Sequence, residues 1–247
     1  MGGLCYISRH SGEPDQWAAR RSATREEFAL SGFGPPVTYD TPHGILDFYR
    51  KISYPAPDAT LLPRGFAVSV GTFIYDGAIG ADALRRFALT PDPCAAALDA
   101  RGQFVVVLHN GGRLLLLRDP ASAHQVYYDE AGSVVATSFL AVARCLDSIR
   151  ANTQEIYEYV FNGVVLGDTM PVAGIRRLGL GESMELDPAP RVVRTNRPPL
   201  PPPARDPLEA SADNAMHALS GNVAILGALF GDRIKLGISG GYDSRLL

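Results

Sequence analysis

Residues 103–118 read QFVVVLHNGGRLLLLR. Two apolar runs, 103–108 and 113–118, flank Asn110-Gly111-Gly112. A two-residue hairpin turn needs positive φ, which Asn and Gly supply at little steric cost. The stretch therefore predicts two antiparallel strands. Both runs are apolar at successive positions instead of alternating, so each strand is expected to be covered on both faces.

The same pattern recurs around this hairpin. Residues 125–128 and 133–137 form a second strand pair about the turn Asp129-Glu130-Ala131-Gly132, and residues 66–75 read as another β run rich in Val, Phe and Tyr. Helices are expected at about 15–30, 81–89, 138–146 and 153–162. The last has Thr153 as N-cap, with Ile156, Tyr159 and Val160 on one face. Sheet and helices in mixed order predict an α+β domain.

A seam follows. Residues 194–207 read RTNRPPLPPPARDP. Proline lacks an amide donor and fixes φ, so this run suits neither a helix interior nor a central strand and reads as a stiff linker. Beyond it, Asp206 is expected to cap a helix with Pro207 in its first turn. Leu208, Ala212, Ala215, Met216, Leu219 and Val223 recur at helical spacing. Gly221 and Gly227 are expected to weaken its far end. Residues 233–238 (RIKLGI) then predict a short strand.

Composition bounds the function. The chain has 247 residues, 46% of them hydrophobic and 20% charged, as in a folded protein. A formal net charge of −3, with Lys51 and Lys235 the only lysines, argues against nucleic-acid binding. The longest apolar stretch, 223–230, is far short of the roughly 20 residues that span a bilayer. Cys5, Cys94 and Cys145 share no CxxC spacing, and the five histidines show no ligand spacing, so neither a disulfide framework nor a metal site is expected. The first residues lack the charged and apolar regions of a secretory signal, which makes the cytoplasm the default location. Cys94 follows Pro93 at a helix start and is expected to be an inert thiol. Gly179-Leu180-Gly181 reads as a surface turn, and Arg20, Arg21 and Arg25, interleaved with Glu26 and Glu27, as the solvated face of a helix.

The motif that carries chemistry is Ser239-Gly240-Gly241-Tyr242-Asp243-Ser244. It follows a predicted strand and precedes a helix start. Glycines there allow close approach of backbone amides to a ligand, and a helix N-terminus supplies free N–H groups with positive partial charge. Asp243 would repel phosphate directly, but it fits as a Mg²⁺ ligand whose metal bridges phosphate oxygens. The lysine of a Walker loop is absent.

SGGxDS after an apolar strand resembles the pyrophosphate loop of N-type ATP pyrophosphatases. The chain as a whole resembles the glutamine-hydrolysing asparagine synthetases. Gly71-Thr72-Phe73-Ile74-Tyr75-Asp76 lies where that family carries Asn-Gly-Glu-Ile-Tyr-Asn. The segments 102–108, 114–120, 127–128, 137–139 and 159–186 are similar to further family motifs, including the Arg-Asp-Pro of Arg118-Asp119-Pro120.

The resemblance implies an Ntn-hydrolase-like, class II amidotransferase-like domain over residues 1–195, of antiparallel sheets with helices. A Pro-rich linker at 196–207 follows, then the opening helix and strand of an α/β ATP-pyrophosphatase domain at 208–247. It implies a ligase that adenylates a carboxylate with ATP and Mg²⁺, releases pyrophosphate and forms an amide. Ile238, Ser239, Gly240, Gly241, Asp243 and Ser244 would bind ATP, with Asp243 on the Mg²⁺. The implied partners are aspartate as the carboxylate and an amine or ammonia donor, and a homo-oligomer is compatible with them.

Three departures modify that expectation. The family's nucleophile is a cysteine at the mature N-terminus, where this chain has Gly2, and Cys5 has its nitrogen locked in a peptide bond. Gly71 and Thr72 stand where the family's Asn and Gly help form the oxyanion hole, and Asp76 replaces the closing Asn. Arg9-His10-Ser11-Gly12 is similar to the family's glutamine-binding Arg-His-Arg-Gly loop but lies close to the start. Glutaminase activity is therefore expected to be lost, with no catalytic residue identifiable. The family's catalytic lysine and substrate pocket lie beyond the SGGxDS loop, so the sequence reads as the N-terminal part of a ligase. The alternatives are a relative of lasso-peptide cyclases or β-lactam synthetases, which use a substrate amine, and a non-catalytic truncated remnant serving as a structural or interaction domain.

Overall fold

The computed structural model describes residues 2–10, 12–51, 57–194 and 207–235. It divides into two compact units, Met1–Arg197 and Pro198–Leu247.

The first unit is built on two six-stranded sheets in which every neighbouring pair is antiparallel. In chain order its elements are β1 (Gly3–Ser8), α1 (Pro14–Leu30), β2 (Val37–Thr41), β3 (Gly44–Tyr49), β4 (Ala59–Leu62), β5 (Gly65–Gly71), β6 (Ile74–Tyr75), β7 (Ala78–Ile79), α2 (Gly80–Ala88), α3 (Pro93–Asp99), β8 (Phe104–Asn110) and β9 (Arg113–Arg118). They continue with β10 (Tyr127–Asp129), β11 (Val134–Ala136), α4 (Phe139–Ala143), α5 (Thr153–Asn162), β12 (Ile175–Arg177), β13 (Glu182–Glu185) and β14 (Arg191–Arg194). One sheet runs β12-β10-β11-β1-β3-β2, the other β14-β13-β9-β8-β5-β4, and β6 pairs with β7 alone.

Strand alternation explains the layering. Successive side chains leave a strand on opposite faces. Leu4 and Tyr6 of β1, with Leu46 and Phe48 of β3, face inward against Val68 and Val70 of β5, Val105 and Val107 of β8, and Leu114 and Leu116 of β9. The intervening residues face outward. Val106, Leu108, Leu115 and Leu117 pack under Ala83, Leu84 and Phe87 of α2 and Ala96 and Ala97 of α3. Cys5 and Ile7 pack with Phe28 of α1 and Ala141 and Val142 of α4. The result is helix, sheet, sheet, helix. Each buried Val or Leu contributes about 1.5–3 kcal/mol relative to exposure, which is why the uninterrupted apolar runs of β8 and β9 occupy the middle of their sheet.

The expected hairpin forms as read, with Gly111 and Gly112 at φ of 62° and 87°. The second pair forms as β10 and β11, its turn closed by the Gly132 amide donating to the Asp129 carbonyl (2.9 Å). The mixed α+β character with antiparallel sheets agrees with the expected class.

Several expectations need correction. The run 66–75 is not one strand, because Gly71 turns the chain at φ of 83° and separates β5 from β6. The helix expected at 138–146 is only five residues long, capped by Ser138, whose Oγ accepts from the Ala141 amide (3.2 Å). In α5 the N-cap is Asn152, not Thr153, and Ile156, Tyr159 and Val160 are exposed; its buried residue is Glu155.

The second unit contains α6 (Leu208–Phe230) and a single 3₁₀ turn, Gly231–Arg233. The helix continues through Gly221 and Gly227 without a break. Pro207 holds the N-cap position instead of entering the first turn, and Asp206 lies outside the described residues. The strand expected at 233–238 begins instead inside the 3₁₀ turn, and its last three residues lie outside the described ones.

Candidate functional site

The site starts at the beginning of β1. Gly2 lies against the end of β3: a Cβ placed on it would sit 3.1 Å from the Tyr49 carbonyl and 3.7 Å from Cβ of Lys51. A Cβ on Gly3 would meet the Phe28 ring at 2.5 Å. Gly3 is therefore packed for glycine, while a Cβ on Gly2 needs its neighbours to give by only a few tenths of an ångström. A nucleophilic side chain at Gly3 would have to displace a buried aromatic ring.

Lys51 is fixed through Asp58. The buried Asp58 carboxylate accepts the Lys51 amide (3.0 Å) and Nε of Arg50 (3.3 Å), and the Asp58 carbonyl accepts the Ser69 amide (2.8 Å). One residue thus ties the segment after β3 to β5, its carboxylate holding Arg50 and Lys51 and its carbonyl holding Ser69. Here β5 ends at Gly71, whose hypothetical Cβ would lie 2.1 Å from the Gln103 carbonyl and 3.0 Å from the His124 ring. The Thr72 amide donates to that same carbonyl (2.8 Å).

His124 reaches this point because of Arg118 and Asp119. Asp119 accepts the amides of Ala123 (2.9 Å) and His124 (3.1 Å) on its two carboxylate oxygens. Arg118 donates to Ser122 Oγ (2.9 Å) and the Leu178 carbonyl (3.0 Å). The two side chains wrap the 118–124 loop and pin it between the sheets. Their charges are spent on loop structure.

Burial pushes the His124 imidazole below its ordinary value; the nearby Lys51 and Arg118 charges act in the same direction, while the Gln125 backbone and Asp119 oppose them. A neutral imidazole can accept a proton, and Lys51 adds a positive charge within electrostatic reach. Both groups lie at one end of the sandwich. Among the described residues that end presents no thiol.

The cysteines lie elsewhere. Cys5 is 1% exposed in the middle of β1, and burial drives its thiol well above the ordinary range. Cys94 begins α3, yet burial and the neighbouring Asp92 also raise its thiol, against the thiolate stabilisation that a helix start can supply. The Cys145 thiol is pushed up to about 12, chiefly by burial.

The remaining positions singled out in the sequence separate. Asp76 sits with Gly77 in the tight turn between β6 and β7, at φ of 48° and 66°, and its carboxylate takes Nη1 of Arg86 (3.1 Å). Asp and Asn both suit such a turn, so the position serves turn geometry. Arg9 donates to the Thr41 carbonyl (2.9 Å) and pairs with Asp40 (2.8 Å), while Ser11 lies outside the described residues. Gly179-Leu180-Gly181 precedes β13, with Gly179 donating to Glu182 (2.7 Å). Ile238, Ser239, Gly240, Gly241, Asp243 and Ser244 lie outside the described residues. No group of three or more metal-ligating side chains occurs among the described residues, and no helix among them is long and apolar enough to cross a membrane.

Two features were not legible in the sequence. Arg21 and Arg25 are not simply a solvated face: both hold the buried Asp47, and Glu27 is likewise buried and takes Nε of Arg144 (2.6 Å). His124 drew attention only as one histidine among five; the signal that could have found it was the Arg-Asp-Pro turn preceding it.

No family model matches the chain, and no curated protein matches it. Among solved structures, the glutamine phosphoribosylpyrophosphate (PRPP) amidotransferase from B. subtilis, complexed with ADP and GMP, is similar at 9% identity with a TM-score of 0.43. The match covers 79% of this chain and 49% of that one, so this chain spans about half of that protein's length.

Proposed function

We propose that this chain is the N-terminal portion of an asparagine synthetase-like, ATP-dependent amidoligase whose amidotransferase-like domain does not hydrolyse glutamine. The observation that carries the reading is the SGGYDS stretch at 239–244. Its glycines and serines suit a pyrophosphate, and Asp243 suits the Mg²⁺ that accompanies it. In this reading Ile238, Ser239, Gly240, Gly241 and Ser244 line the nucleotide, and the enzyme acts in the cytoplasm. ATP would adenylate a carboxylate, and an amine would displace AMP to give the amide.

The missing glutaminase rests on independent features of the first unit. Cys5 is buried in a central strand. Position 2 carries a glycine and no thiol, and a Cβ on Gly3 would run into the Phe28 ring. An Asn at position 71 would drive its Cβ into the Gln103 carbonyl, so the residue that the family uses for its oxyanion hole has no room there. These observations favour an amine that does not come from glutamine, either ammonia or an amine on the substrate itself, as in lasso-peptide cyclases and β-lactam synthetases.

Pyrophosphate release tests the reading in the polypeptide that carries this loop, with aspartate as acceptor and either ammonium or glutamine as donor. Release with ammonium but not glutamine supports it. Efficient use of glutamine contradicts it. Release only with a substrate bearing its own amine selects the cyclase-type relative.

A further inference from the structure

Helix α1 crosses the outer face of the first sheet with Trp17, Arg21 and Arg25 at four-residue steps. Such steps place side chains on one face. Beneath them, β2 and β3 contribute Thr38, Ile45 and Asp47, with Thr38 opposite Asp47 in register. Asp47 is 3% exposed and takes Nε and Nη2 of both Arg21 and Arg25, together with the Thr38 hydroxyl (2.7 Å).

One guanidinium suffices to neutralise one carboxylate. Here two share it, and Nη1 of each has no hydrogen bond among the described residues. Arg9 comes in from the end of β1, paired with the exposed Asp40. The three arginines, Trp17, Ser22 and Ile45 border a cavity of about 520 Å³ that no acidic side chain lines. Its wall is mostly apolar, with three guanidiniums along it and a single indole as the flat element.

We propose that this cavity binds an organic anion with a flat apolar body, an aryl carboxylate or aryl phosphate. The guanidinium excess would hold the anionic group, and Trp17 with Ile45 would cover the ring. Arginine is suited to both tasks, because its planar fork matches carboxylate and phosphate oxygens and also stacks on aromatic faces. The proposal is independent of the ligase reading: the cavity lies on the helix-covered face of the first sheet and uses none of the SGGYDS residues.

Trp17 is the only tryptophan in the chain, so its fluorescence reports on this cavity alone. Phenyl phosphate titrated into the whole chain should give a saturable change in Trp17 emission that weakens with added salt. Inorganic phosphate should bind more weakly, and phenol should give no saturable change. Arg25→Gln leaves Asp47 paired with Arg21 and should weaken phenyl phosphate at least about tenfold, equivalent to about 1.4 kcal/mol. Ser22→Leu fills the cavity without changing its charge and should do the same. Should Arg25→Gln fail to fold, Arg9→Gln, which does not touch Asp47, makes the same comparison. No saturable response in the wild type overturns the proposal. An equal response in the folded variants overturns it too, since binding would then not be in this cavity.

Discussion

Asp47 shows how a charge becomes buried in a small strand. Burial alone would oppose its ionisation, but hydrogen bonds from Arg25, Arg21 and Thr38 outweigh that and hold the carboxyl at about 2 against an ordinary 3.8. A carboxyl depressed on folding stabilises the fold above its unfolded value and loses that contribution as pH falls through the folded one. Asp47→Asn should therefore cost about 3 kcal/mol at neutral pH, where it strands two guanidiniums over the sheet, and much less near pH 2. Denaturant unfolding of both chains across that range checks it. His124 has the opposite charge logic. Its neutral form is favoured by folding, so this group adds stability as pH rises towards the ordinary histidine value and removes it below. Ring-proton NMR should show His124 titrating below 6.5, and a value above that would contradict the burial seen here. The thiols offer a third check. At pH 8 alkylation should reach Cys94 first and Cys5 only on unfolding, because the Cys5 thiol is enclosed between β1 and the helices above it.

Gly44 links residue to element. It pairs with Ser8 in register, and a Cβ there would fall 2.3 Å from the hydroxyl and ring of the buried Tyr6. The Tyr6 hydroxyl is itself anchored to Asp187 (3.0 Å), so the ring has little room to yield. Gly44→Ala should destabilise the first unit by about 1–3 kcal/mol, the usual cost of overpacking, and a shift in thermal midpoint would record it. The element reading of the sequence succeeded where local chemistry is decisive. Asn110-Gly111-Gly112 admits little but a hairpin. It failed where distant partners decide. β1 is a run of four apolar residues too short to separate from a helical stretch, and β3 carries Asp47, whose charge is acceptable in a buried strand only because α1 supplies two arginines. The stripe of α5 had helical spacing but finds no cover among the described residues. The break after Gly71 was not legible because the Gln103 carbonyl, which excludes a Cβ at Gly71 and accepts the Thr72 amide, lies 32 residues further along the chain.

At the scale of the molecule, the two halves of the functional reading draw on different parts of the chain. The first unit supplies the features on which the proposed lack of glutamine hydrolysis rests: Cys5 is core, a Cβ on Gly3 or Gly71 would meet the Phe28 ring or the Gln103 carbonyl, and the Arg-Asp-Pro side chains hold their own loop. The ligase half rests on the SGGYDS sequence. The loop could be proposed from sequence because phosphate recognition depends on a few contiguous residues, and those residues lie outside the described ones. The convergence of Gly2, Lys51, Gly71 and His124 at one end of the first unit was not legible, because these residues meet only after the sheets have folded. The most direct test is equilibrium binding of ATP with and without Mg²⁺, comparing the chain with its Asp243→Ala variant. Magnesium-dependent binding that falls at least about tenfold in the variant is the predicted result. Absence of ATP binding, or binding indifferent to both the metal and Asp243, would contradict it.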